Sequence, residues 1–311
     1  MDKKLISICI PILNEEDNIE LIYKKILSIF NPYKNNYDYE IIFTDNNSSD
    51  KSFKIIQKIN EIDKNVKCYS FSNNIGKERS LINAYKLAKG DAAIQLDCDL
   101  QDPPELIENF INKWEEGFDY VFAIRKNRKE NIILKNLRKM FYRVINFLSH
   151  SELKNDVGDF SLIDKKIIEI IKTIDERDTY LRGFIYSLGF KSYGIEHIRE
   201  KRFAGKTKFT FFRYISESFR NITNHTIAPL RIATLFGLIV GIISVASLGY
   251  YFFQKVIDPT SSPAGFTTQI LIMLIILAVN SIFLGILGEY IGKIYNQLKK
   301  FDKTIIIKKI E

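Results

Sequence analysis

Two stretches of this chain, residues 232–254 and 264–288, contain no charged side chain. Each is long enough to cross a hydrocarbon layer of roughly 30 Å, which needs about 20 helical residues. A helix buried in a water-soluble protein is seldom that long and apolar around its whole circumference. Inside a bilayer each backbone N–H and C=O must find its partner within the segment, so such a run folds as a helix. The connection, 255–263, is short and nearly neutral. Arg213, Arg220 and Arg231 precede the first run, and Lys293, Lys299, Lys300 and Lys303 follow the second. These cationic flanks predict a two-helix hairpin with both ends on the cytoplasmic side. Neither run carries the internal charge that would mark a proton-coupled transport path.

The remainder is built differently. Short apolar runs at 5–10, 39–44, 66–71, 92–96 and 120–124 alternate with helix-period stretches at 19–30, 52–62, 78–88 and 105–114. That alternation predicts an α/β domain with a mostly parallel sheet and helices on both faces. The loops after the first, second and fourth strands then share one edge of the sheet, where open α/β sheets hold their ligands. With 311 residues and 46% hydrophobic content, the chain can form one full domain besides the hairpin. Its net charge of +8 suits phosphates and anionic lipid. It carries no zinc-finger spacing or RNA-binding signature, so nucleic acid is not an expected partner. Cys9, Cys68 and Cys98 are odd in number and lack metal spacing, and read as reduced thiols. The apolar run 5–13 is short, broken by Pro11 and lacks a cleavage site, so it is not expected to be a signal peptide.

Two further segments are amphipathic. Between 132 and 148, Ile133, Leu134, Leu137, Met140, Phe141, Val144, Ile145 and Leu148 fall on one helical face, with Lys135, Arg138, Lys139 and Arg143 off it. Phe211, Phe212, Ile215, Phe219 and Ile222 repeat the pattern just before the first span. A core helix with a solvated basic face and a helix lying in the membrane interface both satisfy this pattern.

The chemistry concentrates at Asp97-Cys98-Asp99-Leu100-Gln101-Asp102-Pro103-Pro104, directly after the fourth strand. Two carboxylates one residue apart make a seat for a hard divalent cation, which is usually held by one or two carboxylates together with substrate phosphates. A solvated acidic turn would show the same spacing. Asp102, followed by Pro-Pro-Glu, reads as the N-cap of the next helix. His150, His197 and His225 have no triad or metal spacing and read as structural or interfacial.

Taken with Ile8-Cys9-Ile10-Pro11-Ile12-Leu13-Asn14-Glu15-Glu16, Asp45-Asn46-Asn47-Ser48-Ser49-Asp50, Asn73-Asn74-Ile75-Gly76-Lys77, Gly158-Asp159-Phe160 and Arg202-Phe203-Ala204-Gly205-Lys206-Thr207-Lys208, this motif resembles the family 2 glycosyltransferases of the GT-A fold group. The Asp-x-Asp-Leu-Gln-Asp-Pro-Pro-Glu form is similar to that of polyprenyl-phosphate glycosyltransferases, the dolichol-phosphate mannose synthase and bactoprenol glucosyltransferase group. The resemblance spans nearly the whole chain. It implies a cytoplasmic GT-A nucleotide-sugar-binding domain at 1–205, including the amphipathic helix 132–148. A juxtamembrane segment at 206–230, a transmembrane hairpin at 231–292 and a cytoplasmic tail at 293–311 follow. It also implies Mg²⁺ or Mn²⁺ at Asp97 and Asp99, with Asp99 the better direct ligand and Gln101 near the sugar or acceptor phosphate. Pro11, Leu13 and Glu15 match the segment that cradles ribose and base, and Asp45 the residue that contacts the base. A first-turn helix charge accounts equally well for Glu15, and an Asx turn for Asp45. Lys77, Arg125, Arg202 and Lys208 are the candidate phosphate-binding cations. Asp159 matches the aspartate proposed as catalytic base. A lipid phosphate monoester, with a second pKa near 6, is already largely dianionic at neutral pH, so Asp159 positioning a substrate is the competing role.

The expected activity is inverting transfer of a hexose from a nucleotide diphosphate sugar to a polyprenyl phosphate, at the cytoplasmic leaflet of the plasma membrane. UDP-glucose is favoured as donor; mannose, GlcNAc and aminoarabinose derivatives stay open. A transferase for another glycolipid, or a non-catalytic partner of a flippase, are the alternatives. A processive polysaccharide synthase is disfavoured, because Gln-x-x-Arg-Trp is missing and Trp114 is the sole tryptophan. A homo-oligomer packed through the spans is compatible with this organisation.

Overall fold

The computed structural model describes residues 3–126, 157–173, 181–198, 266–298 and 304–311, with single positions between 236 and 257. The chain divides into two units, one of residues 1–143, 151–211 and 301–311, the other of 144–150 and 212–300. The expected amphipathic helices at 132–148 and 211–222 lie outside the described residues.

The first unit is organised around β1 (Lys4–Ile12), which pairs in parallel with β2 (Tyr37–Asp45) on one side and β4 (Ala92–Gln95) on the other. A strand flanked on both edges and covered on both faces must be apolar nearly throughout. Ile6, Ile8, Cys9 and Ile10 are accordingly sealed from solvent. Pro11 has no N–H to give a ladder. It falls beyond the β4 pairing, which ends at Cys9, and sits opposite Thr44 of β2. The sheet extends through β3 (Val66–Phe71), β5 (Tyr120–Lys126), β6 (Val157–Asp164), β7 (Ser192–Ile198) and β8 (Ile306–Ile310). The order is β7-β5-β6-β4-β1-β2-β3-β8.

The sequence-predicted crossovers are present as α1 (Ile19–Phe30), α2 (Ser52–Ile62), α3 (Lys77–Leu87) and α4 (Leu106–Glu115). One face of the sheet packs Ile22, Ile26, Ile56, Phe110 and Trp114 against the inward isoleucines of β1. The other face packs α3 with α5 (Lys165–Lys172) and α6 (Leu181–Ser187) through Tyr85, Ile167, Ile171 and Ile185. Cys9, Cys68 and Cys98 are buried free thiols.

Two strands run against the majority, β6 between β4 and β5, and β8 on the edge of β3. The reversal of β6 brings its first residues, including Asp159, to the edge where β1, β2 and β4 end. β8 is formed by the segment expected as a tail after the second span, and it covers an otherwise open strand edge.

In the second unit, α7 (Phe266–Leu298) is the one helix among the described residues long and apolar enough to cross a bilayer, through 275–292. The first charge-free run, 232–254, lies almost wholly outside the described residues.

A buried polar knot ties β1, β2 and the turn before β4. Ser7 Oγ donates to Glu40 Oε1 at 2.6 Å, Lys89 N donates to the same oxygen at 2.7 Å, and Lys67 Nζ donates to Oε2 at 2.6 Å. Gly90 N donates to Ser7 Oγ at 2.8 Å, and a Cβ at Gly90 would meet that hydroxyl at 2.6 Å. Burial raises the Glu40 pKa, but the bonds from Lys67, Ser7 and Lys89 outweigh it and hold the carboxyl below its ordinary value. A depressed folded pKa contributes stability above the unfolded value, and that contribution is lost as pH falls through the folded one. Glu40→Ala leaves three donors unmatched and is expected to cost roughly 2–4 kcal/mol in urea unfolding at neutral pH. The gap to wild type should narrow as pH falls below the ordinary carboxylate value of about 4.3 and close once it passes the depressed folded value.

Candidate active site

The sheet's strand order reverses at β1: β2 and β3 extend to one side, β4 to the other. The carboxyl-end crevice at such a reversal is where doubly wound sheets bind ligands. The loops after β1, β2 and β4 meet here, and each holds a non-glycine residue in the left-handed region: Asn14 (φ 56°), Asn47 (φ 62°) and Leu100 (φ 55°). Asparagine tolerates that conformation and leucine does not. Leu100 is held there because its side chain is buried in the core with that of Cys98. Strain of this kind persists only where its surroundings over-determine it, and it collects at functional sites.

Burial of Cys98 and Leu100 determines the aim of the aspartates. Asp97 is partly exposed, with its side chain at 21%, whereas Asp99 is buried and its Oδ1 accepts the Gln101 N–H at 3.2 Å. Lys77, at the start of α3, bridges two elements: its Nζ donates to Asp97 Oδ2 at 2.7 Å and to Asp159 Oδ2 at 3.0 Å. Gly76, at φ 87°, turns the chain into α3 immediately before it. Arg182 of α6, which the motifs do not single out, donates to the other Asp159 oxygen at 3.3 Å. Burial lowers the Lys77 pKa, but the Asp159 and Asp97 carboxylates dominate and hold the ammonium well above its ordinary range. Burial raises Asp97, opposed by Lys77 and reinforced by Asp159. Glu78 beside them is also raised, by burial and then by the Asp159 charge. A crevice lined by Lys77, Glu78, Gln95, Asp159, Ser161 and Arg182 opens at this point.

The other sequence-predicted residues sort clearly. Pro11 is the penultimate residue of β1 and Leu13 follows the strand, both half-buried at the same edge. Glu15 accepts from Asn18 Nδ2 at 2.7 Å, so it helps to start α1, and its charge also acts on Cys98 in the aspartate loop. Asp45 is buried: Oδ1 accepts the Ser48 N–H at 2.9 Å, three residues on and so one residue wider than the Asx turn expected, and Oδ2 accepts from Ser70 Oγ at 2.8 Å. Arg125 lies in β5 opposite His197 of β7. Arg202 and Lys208 lie outside the described residues.

Asp102 departs from expectation. α4 begins at Leu106 with Glu105 in the cap position, so Asp102 is not its N-cap. Its Oδ1 instead meets His197 Nε2 at 3.0 Å, with both side chains almost wholly buried. The reason is tertiary. β7 joins the sheet beyond β5, and its end delivers an imidazole to the far side of the aspartate loop.

Among the described residues no group of three or more His, Cys, Asp or Glu side chains gathers to hold a metal alone. Asp97 already holds a cation, the Lys77 ammonium, and the Asp99 charge also acts on it. A few carboxylates short of a full set fit a hard divalent ion that completes its shell with substrate oxygens.

Residues 7–171 match the family described as Glycosyl transferase family 2. A prophage bactoprenol glucosyl transferase homolog of Escherichia coli (strain K12) is 36% identical, over 97% of this chain and 98% of its own length. The bactoprenol glucosyl transferase of Shigella phage SfII is 34% identical over 97% of each. A mannosyltransferase from Pyrobaculum calidifontis, solved in complex with GDP-Man and Mn²⁺, aligns with a TM-score of 0.50 at 12% identity, covering 97% of this chain and 89% of that one. This last likeness concerns the fold alone. The chain belongs to glycosyltransferase family 2, with a GT-A-like α/β fold, and is a glycosyltransferase.

His197→Leu removes a buried hydrogen-bond partner of Asp102. A hydrogen bond to a charged group contributes about 1.5–3 kcal/mol. The expected result is a fall in the thermal midpoint of the purified protein on the order of 3–12 °C.

Proposed function

We propose that this protein transfers a hexose, with glucose favoured, from a nucleotide diphosphate sugar to a polyprenyl phosphate at the cytoplasmic leaflet, with inversion. The observation that carries the reading is the convergence of Asp97, Lys77 and Asp159 at the open edge of the sheet. Such a cluster suits a reaction whose leaving group is a diphosphate. Similarity over nearly the full length to proteins named for bactoprenol supports a lipid phosphate as acceptor.

In this reading the ribose and base lie along Pro11, Leu13 and Glu15, in a pocket whose wall is the Asp45 turn. A divalent cation at Asp97 and Asp99 supplies the positive charge that stabilises the departing diphosphate. An acceptor phosphate oxygen attacks the anomeric carbon from the opposite face, the bond to the diphosphate breaks, and nucleoside diphosphate leaves. Gln101 is near enough in sequence to that loop to contact the sugar or acceptor. Arg125, Arg202 and Lys208 clamp the acceptor phosphate, and such positioning can remove several kcal/mol of barrier. Asp159 is engaged on both oxygens, by Lys77 at 3.0 Å on Oδ2 and by Arg182 at 3.3 Å on Oδ1. That supports positioning over proton removal, as does a dianionic acceptor.

The path of the chain supports a membrane hairpin. β8 and β1 belong to one sheet, so the segments joining residue 198 to residue 306 cross a bilayer an even number of times or not at all. α7 can make one crossing, and the charge-free run 232–254 is the natural second. In this organisation 1–205 form the catalytic domain, 206–230 the juxtamembrane segment and 231–292 the hairpin. The residues after it return to the catalytic sheet.

Transfer from a nucleotide sugar to polyprenyl phosphate should stop in excess chelator and return with Mg²⁺ or Mn²⁺. Asp99→Asn should lower turnover at least a hundredfold, about 2.7 kcal/mol of barrier, without unfolding the protein. Arg202→Ala should lower transfer far more than nucleotide binding. Efficient glycosylation of a soluble sugar or protein, with polyprenyl phosphate ignored, would overturn the acceptor assignment. Cysteines introduced at Ser261 and Lys309 should react with an impermeant reagent from opposite sides of the membrane, the native thiols being buried. Cytoplasmic labelling at Ser261 would refute the hairpin.

A further inference from the structure

We propose that Lys77 is a tethered counter-cation of the metal subsite: it neutralises Asp97 while the site is free of nucleotide, and moves to the donor's diphosphate when metal and nucleotide bind together. The inference rests on the metal-dependent transferase reading above and goes beyond it, since it sets the order in which the site fills.

The geometry is specific. Lys77 Nζ stands 2.7 Å from Asp97 Oδ2, a charge-assisted hydrogen bond on one of the two carboxylates that would receive the ion. Its second bond, at 3.0 Å, reaches Asp159 from β6, so the ammonium lies between two carboxylates from different strands. Lys77 therefore stands where the negative charges of the two carboxylates converge, bonded to both. A divalent ion arriving alone would meet a carboxylate already paired and the Lys77 ammonium beside it. An arriving diphosphate brings negative charge of its own. It gives the ammonium a new partner and the metal its missing oxygens.

Three features let Lys77 move. Its side chain is 42% exposed, so it is not packed in place. It opens α3, where the helix dipole disfavours a cation, so among the described residues the two carboxylates are what hold it there. Arg182 already donates to Asp159, so that carboxylate keeps a cationic partner when Lys77 leaves. Lysine suits this task because its ammonium is a compact charge on a flexible stem, where arginine is a rigid fork.

The consequence is a thermodynamic coupling between metal and nucleotide, equal in both directions. The test is Mn²⁺ binding to the purified full-length protein by electron paramagnetic resonance, with and without UDP, and in parallel GDP. Wild type should bind Mn²⁺ at least tenfold more tightly with nucleotide than without, within the usual range of such couplings. Lys77→Gln should bind Mn²⁺ about tenfold more tightly than wild type in the absence of nucleotide, with a correspondingly smaller gain on adding it. Lys77→Arg, which keeps the charge, should keep the weak nucleotide-free affinity. The inference is overturned if Lys77→Gln binds free Mn²⁺ no more tightly than wild type while both bind it with nucleotide, or if wild type shows no coupling. Absence of Mn²⁺ binding to wild type even with nucleotide would instead sink the metal-dependent reading and this inference with it.

Discussion

Everything in the first unit depends on β1 being hydrogen bonded in parallel on both edges. Parallel neighbours oblige the chain to leave β1, β2 and β4 at the same end and to return across a face of the sheet. The returning helices bury both faces. That is why Ile6, Ile8, Ile10 and Ile12 of β1 can all be buried. The strand order turns about β1, so the loops after β1 and β4 open a crevice at that end. The positive-φ residues Asn14, Asn47 and Leu100 all lie there, where the backbone is bent to fit the site and the core holds the bend.

The antiparallel β6 completes the site. Had it run parallel to β4, Asp159 would stand at the other end of the sheet, a full strand length from Asp97. The reversal instead places two partly exposed carboxylates together, an arrangement that favours a cation between them. Lys77 and Arg182 supply positive charge there from α3 and α6. In the proposed reaction the same charges would meet a ligand that carries both a phosphate charge and a metal. The Asp102–His197 pair supports the aspartate loop from behind and links it to β7, the strand that leads into the basic segment 199–208.

β8 has a comparable consequence at larger scale. A short strand on an edge contributes modestly to stability and shields β3 from other chains. Its return from beyond α7 places residues 306–310 in the same sheet as β1, and the proposed hairpin draws its support from that strand pairing as well as from the charges that flank the apolar runs.

The amino-acid sequence by itself determined the elements from β1 through β5, because their period, two for strands and 3.6 for helices, is a local property of apolar spacing. Helices at 19–30 and 52–62 and the strand at 66–71 were legible to the residue. The acidic pair was legible too, since Asp97 and Asp99 stand where an apolar run ends. Ile305-Ile306-Ile307 carried a β-branched signal for β8, which a strongly basic tail obscured. Tertiary structure alone decided which distant groups meet. Lys77 lies 20 residues from Asp97 and 82 from Asp159, and Asp102 lies 95 from His197. Local spacing therefore read Asp102 as a helix cap and passed over Arg182. Strand direction and order choose such partners. They are set by how the whole sheet buries its two faces, a quantity that no window of the sequence contains.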